Sequence, residues 1–371
     1  MKGILPLAKT TTSLDGKLIG AFGVDDSGRE WITWERQTNL FELFAAVGYA
    51  ESQKKLNWDL PGHGKSYVDC GETRIKGCDN VEKHEDHKVF GRTFLRNCGR
   101  KACPTCFEAW ASNQALRGLI RLASFAVGYD LVEKTLFDVK SEFKTRSRRR
   151  QRGELVSRLE ESLISSRKKV IHVVLSPNSG IVDDSMTYYL RARRQAYEIA
   201  RTCGLIGGAM LFHPYRLKCS LCGSTIDDYT DSCSKCGLSS FLWHWSPHFH
   251  VLGFGWIVNT AETYEKHGWI VRNLRVRKSV YWSFQYLLSH SGVSSVHTTT
   301  WFGRLAYNML RAVPKLGVLH EVCPFCMAPL MPLVWIGGTD RGPPVLEFDA
   351  RSPLDNESLL SYDDWRVYRG V

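Results

Sequence analysis

The sequence predicts an α+β protein: a central, largely antiparallel sheet flanked by helices and carrying zinc-binding insertions. Three observations predict it. Apolar β-branched runs and amphipathic stretches follow one another as strand–helix–strand–strand, a succession that suits an antiparallel sheet covered by helices. Eight of the twelve cysteines form four CxxC pairs, Cys103/Cys106, Cys219/Cys222, Cys233/Cys236 and Cys323/Cys326. In a large chain this spacing serves zinc or redox chemistry rather than a disulfide scaffold. The chain is also long and basic, 371 residues with a formal charge of +11. That length allows two or three domains, and the charge beside zinc-type cysteines points towards nucleic acid.

Composition removes other classes. Aromatic residues make up 12% of the chain and hydrophobic residues 43%, too many for intrinsic disorder. No apolar run approaches the ~18–20 residues of a membrane span. The opening MKGILPLAKTTTS has too short an apolar stretch for a signal peptide. A cytoplasmic protein with no membrane partner is expected.

In chain order, residues 1–90 are mixed and polar, with glycine-rich turns and the cluster VEKHEDHK. From Phe107 to about Val127, apolar residues recur at helical spacing after a Cys-rich knuckle. KTRSRRRQR (144–152) is a dense basic run. It is either a set of phosphate contacts through Arg148, Arg149, Arg150 and Arg152 or a solvated linker, and a polar helical stretch follows it. A boundary near residue 165 makes 1–165 an N-terminal Cys-rich, zinc-binding and helical module.

The main domain, 166–312, then alternates elements. VIHVVLSP (170–177) reads as a strand ended by Pro177, and MTYYLRARRQAYEIARTCG (186–204) as a helix closed by Gly204. LIGGAMLFHPYRLK (205–218) is a strand, and after a Cys-rich insertion at 219–240 comes another, FLWHWSPHFHVLGFG (241–255). WIVRNLRV (269–276) is a fourth strand and VYWSFQYLLSH (280–290) a helix. Residues 313–371 form a C-terminal segment with one CxxC knuckle.

Among the cysteines, Cys219-x2-Cys222-x10-Cys233-x2-Cys236 is the strongest local pattern. Two knuckles joined by a short loop bring four thiolates tetrahedrally around Zn²⁺, and Gly223 and Gly237 supply the tight turns. Upstream, Cys98-x4-Cys103-x2-Cys106 offers three ligands, with Cys70, Cys78, His84 or His87 as the fourth. Cys323/Cys326 is half a ribbon with no second half downstream, so it either borrows ligands from elsewhere or is a pair of buried thiols. Two or three structural zinc sites are expected. PGHGKS (61–66) is not a phosphate loop, because Asp59 stands where the first glycine is required and no buried strand precedes it.

WSPHFHVLGFG holds His248 and His250. On a strand these point to one face and Phe249 to the other, so both imidazoles can meet one metal. Taken alone, two histidines flanking an apolar residue also suit core packing. In VYWSFQYLLSHSG, Tyr286 and His290 are one helical turn apart, as are Tyr281 and Gln285. Val280, Phe284, Leu287 and Leu288 form an apolar stripe that leaves Tyr286 and His290 free to face a cleft.

The motifs HVVLSP, His248-Phe249-His250 and Tyr286 with His290, in that order over residues 168–312, resemble the HUH endonuclease superfamily. More narrowly, the chain is similar to rolling-circle replication initiators of archaeal plasmids and viruses. The segments CGRKACPTCFEAW and WFGRLAYN extend the likeness more loosely. The resemblance implies a ferredoxin-like domain in a plasmid- or virus-encoded protein of the host cytoplasm. It implies Mg²⁺ or Mn²⁺ held by His248, His250 and His290, or Gln285 in place of His290, polarising a scissile phosphate. Tyr286 would attack phosphorus, giving a 5′-phosphotyrosine intermediate and a free 3′-OH, with Tyr281 as the alternate or second nucleophile. Family members often carry a lysine three residues after the tyrosine. Here Ser289 follows Tyr286 and Phe284 follows Tyr281, which moves the third ligand to His290.

The implied partner is single-stranded origin DNA, held by Arg272, Arg275, Arg277, Lys278 and Trp282, with Trp301 nearby. Host helicase and polymerase would act beside it, since no ATPase motif is present. Two alternatives carry over: an HUH transposase or plasmid-mobilisation relaxase, and a non-enzymatic zinc-ribbon protein that binds nucleic acid.

Overall fold

The computed structural model describes residues 58–177, 185–225, 232–237, 241–294, 297–337, 344–346 and 357–368, with the backbone of three short strands nearer the N-terminus. Most of residues 1–57, and parts of the 219–240 insertion, therefore lie outside the described residues. The chain divides into two compact units, Met1–Leu56 with Tyr215–Ser246, and Asn57–Pro214 with Pro247–Val371. In the first unit, β1 (Lys9–Thr12), β2 (Leu18–Val24) and β3 (Glu30–Ile32) form a three-stranded antiparallel sheet.

The second unit begins with a hairpin of β4 (Thr73–Cys78) and β5 (Val89–Leu95). Three helices follow, α1 (Phe107–Val127), α2 (Tyr129–Glu142) and α3 (Arg148–Ser165). The α1 bounds are those the apolar periodicity predicts. Of the basic run 144–152, Arg148 to Arg152 form the start of α3, and Lys144 to Ser147 lead into it. Ser147 accepts from the Arg150 backbone N–H at 3.2 Å as the cap, and Arg152 turns inward to Ser112 and Asn113, both at 2.9 Å.

Next come β6 (Ile171–Ser176), α4 (Met186–Thr202), β7 (Leu205–Cys219), β8 (Phe241–Gly255), α5 (Thr260–His267), β9 (Ile270–Val276), α6 (Val280–Ser289) and β10 (Thr299–Gly303). Five of these strands form one sheet in the order β10-β7-β8-β6-β9. β6 is antiparallel to both β8 and β9, with Val174 opposite His250 and Leu175 opposite Val271. β7 and β8 approach through glycine. A side chain on Gly208 would meet the Gly253 Cα at 2.7 Å, and one on Gly253 would meet Gly208 at 3.0 Å. β6 and β7 thus run the same way on either side of β8, joined through α4, and β8 and β9 do so on either side of β6, joined through α5.

The two faces of this sheet follow from the period of two along a strand. Ala209 and Leu211 of β7, and Leu252 and Phe254 of β8, face a core built from α1, α2, α3 and α6, with Leu116, Leu119, Leu136, Leu155, Leu159, Phe284 and Leu287 among its buried residues. Gly118 lets Phe284 lie against α1. On the other face Phe212 and Phe249 pack with Tyr189 of α4 and Trp58, ring centroids 4.7 to 6.4 Å apart. Burial of such side chains contributes roughly 1.5–3 kcal/mol each.

The C-terminal strands β11 (Met331–Trp335), β12 (Glu357–Leu360) and β13 (Trp365–Val367) join the β4–β5 hairpin in a second sheet, order β12-β5-β4-β11-β13. Residues far apart in sequence thus share one sheet, with Arg92 ion-paired to Glu321 and Glu357. No described helix is long and apolar enough to cross a membrane.

Candidate metal centre and nucleophile

The face of β8 that carries Leu252 and Phe254 ends in His250 and His248. Odd positions of β7 lie on the same face, so His213 follows Ala209 and Leu211 into the same space. The ligand nitrogens of His213, His248 and His250 all lie within 4.8 Å of one another. The His213 ring is 4.2 Å from that of His250 and 5.3 Å from that of His248. His213 is fully buried at 0% exposure. Neither of its ring nitrogens meets the geometry of a hydrogen bond, although the Leu287 backbone carbonyl lies near the ring.

Two further imidazoles flank this trio. His172 on β6 sets Nε2 2.7 Å from His250 Nδ1, and Arg277 donates to His172 Nδ1 through Nε at 3.1 Å and Nη2 at 2.5 Å. His290, which ends α6, stands with its ring 4.3 Å from that of His213. Burial, then the charge of Arg277 and then His290, push His172 down to about 3. Burial likewise lowers His290 to about 4, and holds His213 and His250 well below the ordinary histidine value. These four imidazoles are neutral near pH 7. Because Arg277 donates into His172 Nδ1, the His172 proton sits on Nε2 and is donated to His250 Nδ1.

The two tyrosines part company. Tyr286 is 36% exposed and Tyr281 only 4%. The Tyr286 ring meets that of His290 edge-on at 4.5 Å, so phenol, His290 and His213 form a continuous contact. Tyr281, expected as the alternate nucleophile, faces the helical core instead. Its hydroxyl is 2.6 Å from Ser112 Oγ, which also accepts from Arg152. α3 determines this orientation, because Glu160 accepts from the Ser279 hydroxyl at 2.9 Å and the Tyr281 backbone N–H at 2.7 Å, anchoring the first turn of α6.

The third imidazole of the close trio is therefore His213, where the sequence pointed to His290 or Gln285. His290 stands beside the trio, and Gln285 is buried on α6 with Oε1 lacking a hydrogen-bond partner. An isolated histidine in LFHPY reads as an ordinary strand residue, so local sequence gives little signal for His213. Only its odd-numbered spacing from Ala209 and Leu211 hints at its face. Of the expected DNA contacts, Arg272, Arg275 and Lys278 are exposed and Trp282 is 38% exposed. Arg277 is turned in to His172.

Eleven of the twelve cysteines fall into three groups, and Cys203 stands apart beside Thr263. Cys219, Cys222, Cys233 and Cys236 meet as expected, with Cys219 3.4 Å from Cys236 and Cys222 3.6 Å from Cys233. Tetrahedral Zn–S bonds of ~2.3 Å place sulfurs roughly 3.8 Å apart, whereas a disulfide needs about 2 Å. Gly223 and Gly237 take φ of +67° and +74° at the knuckle turns. The Ser224 hydroxyl, first among several donors, holds the Cys222 thiol down to about 6. The second group joins Cys98, Cys103 and Cys106 with Cys70, resolving the open fourth ligand. His87 is exposed and outside it. Cys78 and His84 instead meet Cys323 and Cys326 in a third group. These are sets that can hold zinc.

The site is thus an all-imidazole donor set, with His213 and His248 buried and His250 half-buried, and with one accessible phenol at its edge. No family model, no curated protein and no solved structure matches this chain.

Proposed function

We propose that this chain nicks and rejoins single-stranded DNA through Tyr286, as an HUH-type initiator of rolling-circle replication. The observation that carries the reading is the convergence of His248 and His250 with His213, next to an exposed tyrosine that touches the cluster through His290. The succession β6-α4-β7-β8-α5-β9, with strand order β9-β6-β8-β7, supports a ferredoxin-like HUH domain.

The donor set fits a divalent cation, since His213 has two buried nitrogens without good partners and unpaired polar groups of that kind are costly. His213, His248 and His250 would hold it. Imidazoles suit Mn²⁺ better than Mg²⁺, which prefers oxygen ligands. When bound, the cation supplies Lewis-acid polarisation of the scissile phosphate. Tyr286 Oη attacks phosphorus, forming a tyrosyl phosphate bond as the bond to the 3′ oxygen breaks. The 3′ oxygen leaves with a proton from water, and the phenol proton passes to solvent. Attack by the 3′-OH reverses the step and rejoins the strand. His290 packs between the phenol and His213 and keeps the nucleophile beside the cation site. Arg272, Arg275, Lys278 and Trp282 contact the strand through phosphates and stacking. Unwinding and synthesis fall to a host helicase and polymerase.

A randomised single-stranded DNA pool incubated with Mn²⁺ and the full chain tests this. The expected result is an SDS-resistant protein–DNA adduct that Tyr286→Phe abolishes and Tyr281→Phe retains. An adduct that survives Tyr286→Phe overturns the nucleophile. No adduct with any DNA favours a zinc-ribbon protein that only binds nucleic acid.

A further inference from the structure

We propose that Cys78, His84, Cys323 and Cys326 bind one Zn²⁺ that clasps the C-terminal segment onto the β4–β5 hairpin. The four donors come from two places. Cys78 ends β4, and His84 follows the short 3-10 turn Val81–Lys83. Cys323 and Cys326 belong to a tight turn in which the Met327 N–H donates to the Cys323 carbonyl at 3.0 Å and the Cys323 N–H to the Ala328 carbonyl at 2.7 Å. A bridge between Val322 and Pro329 closes the base of that turn. The same knuckle form recurs in the ribbon, where the Gly223 N–H donates to the Cys219 carbonyl at 3.0 Å and the Cys219 N–H to the Ser224 carbonyl at 2.9 Å.

The chemistry of the donors matches zinc. Cys78 Sγ is 3.5 Å from Cys326 Sγ, and Cys323 Sγ is 3.3 Å from His84 Nε2. His84 Nδ1 lies 2.7 Å from the Lys88 carbonyl. A carbonyl only accepts, so Nδ1 carries the proton and Nε2 presents its lone pair to the sulfurs. A backbone carbonyl behind the imidazole is the outer contact that metal-binding histidines use to fix tautomer and ring orientation. Cys78, His84 and Cys323 are all buried, at 4%, 3% and 0% exposure. Three thiolates and one imidazole form a closed structural zinc set, with no position left open for chemistry.

The sheet around this group explains what the ion does. Its apolar core contains Ile75, Val89, Leu333 and Trp365, continued by Cys78, Phe90 and Cys323 themselves. β11 meets β4 at Met331–Gly77 and Pro332–Lys76, and β13 attaches to β11. So small a core orders a distant segment weakly, and small modules commonly recruit a metal for that purpose. The site therefore makes docking of residues beyond Glu321 depend on zinc. It does not rest on the nuclease reading, and its failure would leave that reading intact.

Elemental analysis and hydrogen exchange on the full chain test it. Wild type is expected to hold three zinc ions, one for each Cys-rich group. Cys323→Ser and His84→Ala should each lose one zinc and the amide protection of Leu333, Trp335 and Val367. Cys233→Ser should also lose one zinc yet keep that protection, and His84→Cys should restore a full complement. Three zinc ions retained in both Cys323→Ser and His84→Ala would overturn the proposal, as would loss of zinc with protection unchanged. If those variants fail to fold, Co²⁺-substituted wild type and His84→Cys decide. Replacing imidazole by thiolate moves the visible bands to longer wavelength, and identical spectra would exclude His84 as a ligand.

Discussion

His213 on β7 faces His250 on β8 with ring centroids 4.2 Å apart, and His213 has no well-made hydrogen bond on either nitrogen. An imidazole buried in that state weakens the metal-free fold, because an unsatisfied buried polar group costs about 1–3 kcal/mol. His213→Leu should therefore leave the metal-free protein as stable as wild type or up to about 1 kcal/mol more stable. It should at the same time remove the rise in melting temperature that Mn²⁺ produces. Melting curves with and without Mn²⁺ check both parts. An unchanged Mn²⁺ shift in the variant would remove His213 from the metal site.

The hydroxyl of Tyr281 is structural. Tyr281→Phe breaks its 2.6 Å bond to Ser112, which keeps its bond from Arg152. The expected loss is about 0.5–1.5 kcal/mol, the usual net value of one internal hydrogen bond. Tyr286→Phe, at a partly exposed ring, should change the urea midpoint little. Equal destabilisation by the two substitutions would contradict the burial that separates them.

Acid should weaken the metal-free protein early. His172 and His290 titrate near 3 and 4 in the fold because burial disfavours their charged forms, against about 6.5 in the unfolded chain. Folded-state values below unfolded ones mean that the unfolded chain takes up protons first. The stability present above about pH 6.5 is then lost as pH falls towards 4. Denaturant midpoints between pH 7 and 5, above the carboxylate range, isolate this effect. A flat profile there would show that the imidazoles are not desolvated. His290→Gln should shrink the slope.

Exposed cations on and beside β9 should set the salt dependence of DNA binding. Each phosphate contact on a single strand contributes about 0.7 to the slope of log affinity against log salt. Arg272→Ala and Lys278→Ala should each lower the slope by about that amount. Arg277→Ala should affect Mn²⁺ binding more than the slope, because its guanidinium is directed at His172. Unchanged slopes for Arg272 and Lys278 would move the strand to another face.

Much of this protein is local and so was legible in the chain. The bounds of α1 and β8 follow from apolar spacing within a single segment, and the shared face of His248 and His250 from the two-residue period of a strand. The ribbon was legible because its four cysteines fit within one short loop. The rest needed partners distant in sequence. His213 joins the histidines only once Gly208 and Gly253 bring β7 against β8. Tyr281 is distinguished from Tyr286 by Ser112 and Glu160, on helices more than a hundred residues earlier. His84 and Cys323 meet across 239 positions, in a second sheet whose short strands carry weak patterns of their own. Periodicity within a segment decides which face a side chain takes, and so the sequence determined α1, the helix and strand pattern from 170 to 290 apart from α5, and the ribbon. Register between segments decides what that face meets, and only the tertiary structure set the third imidazole, the accessible tyrosine and the long-range cysteine–histidine group.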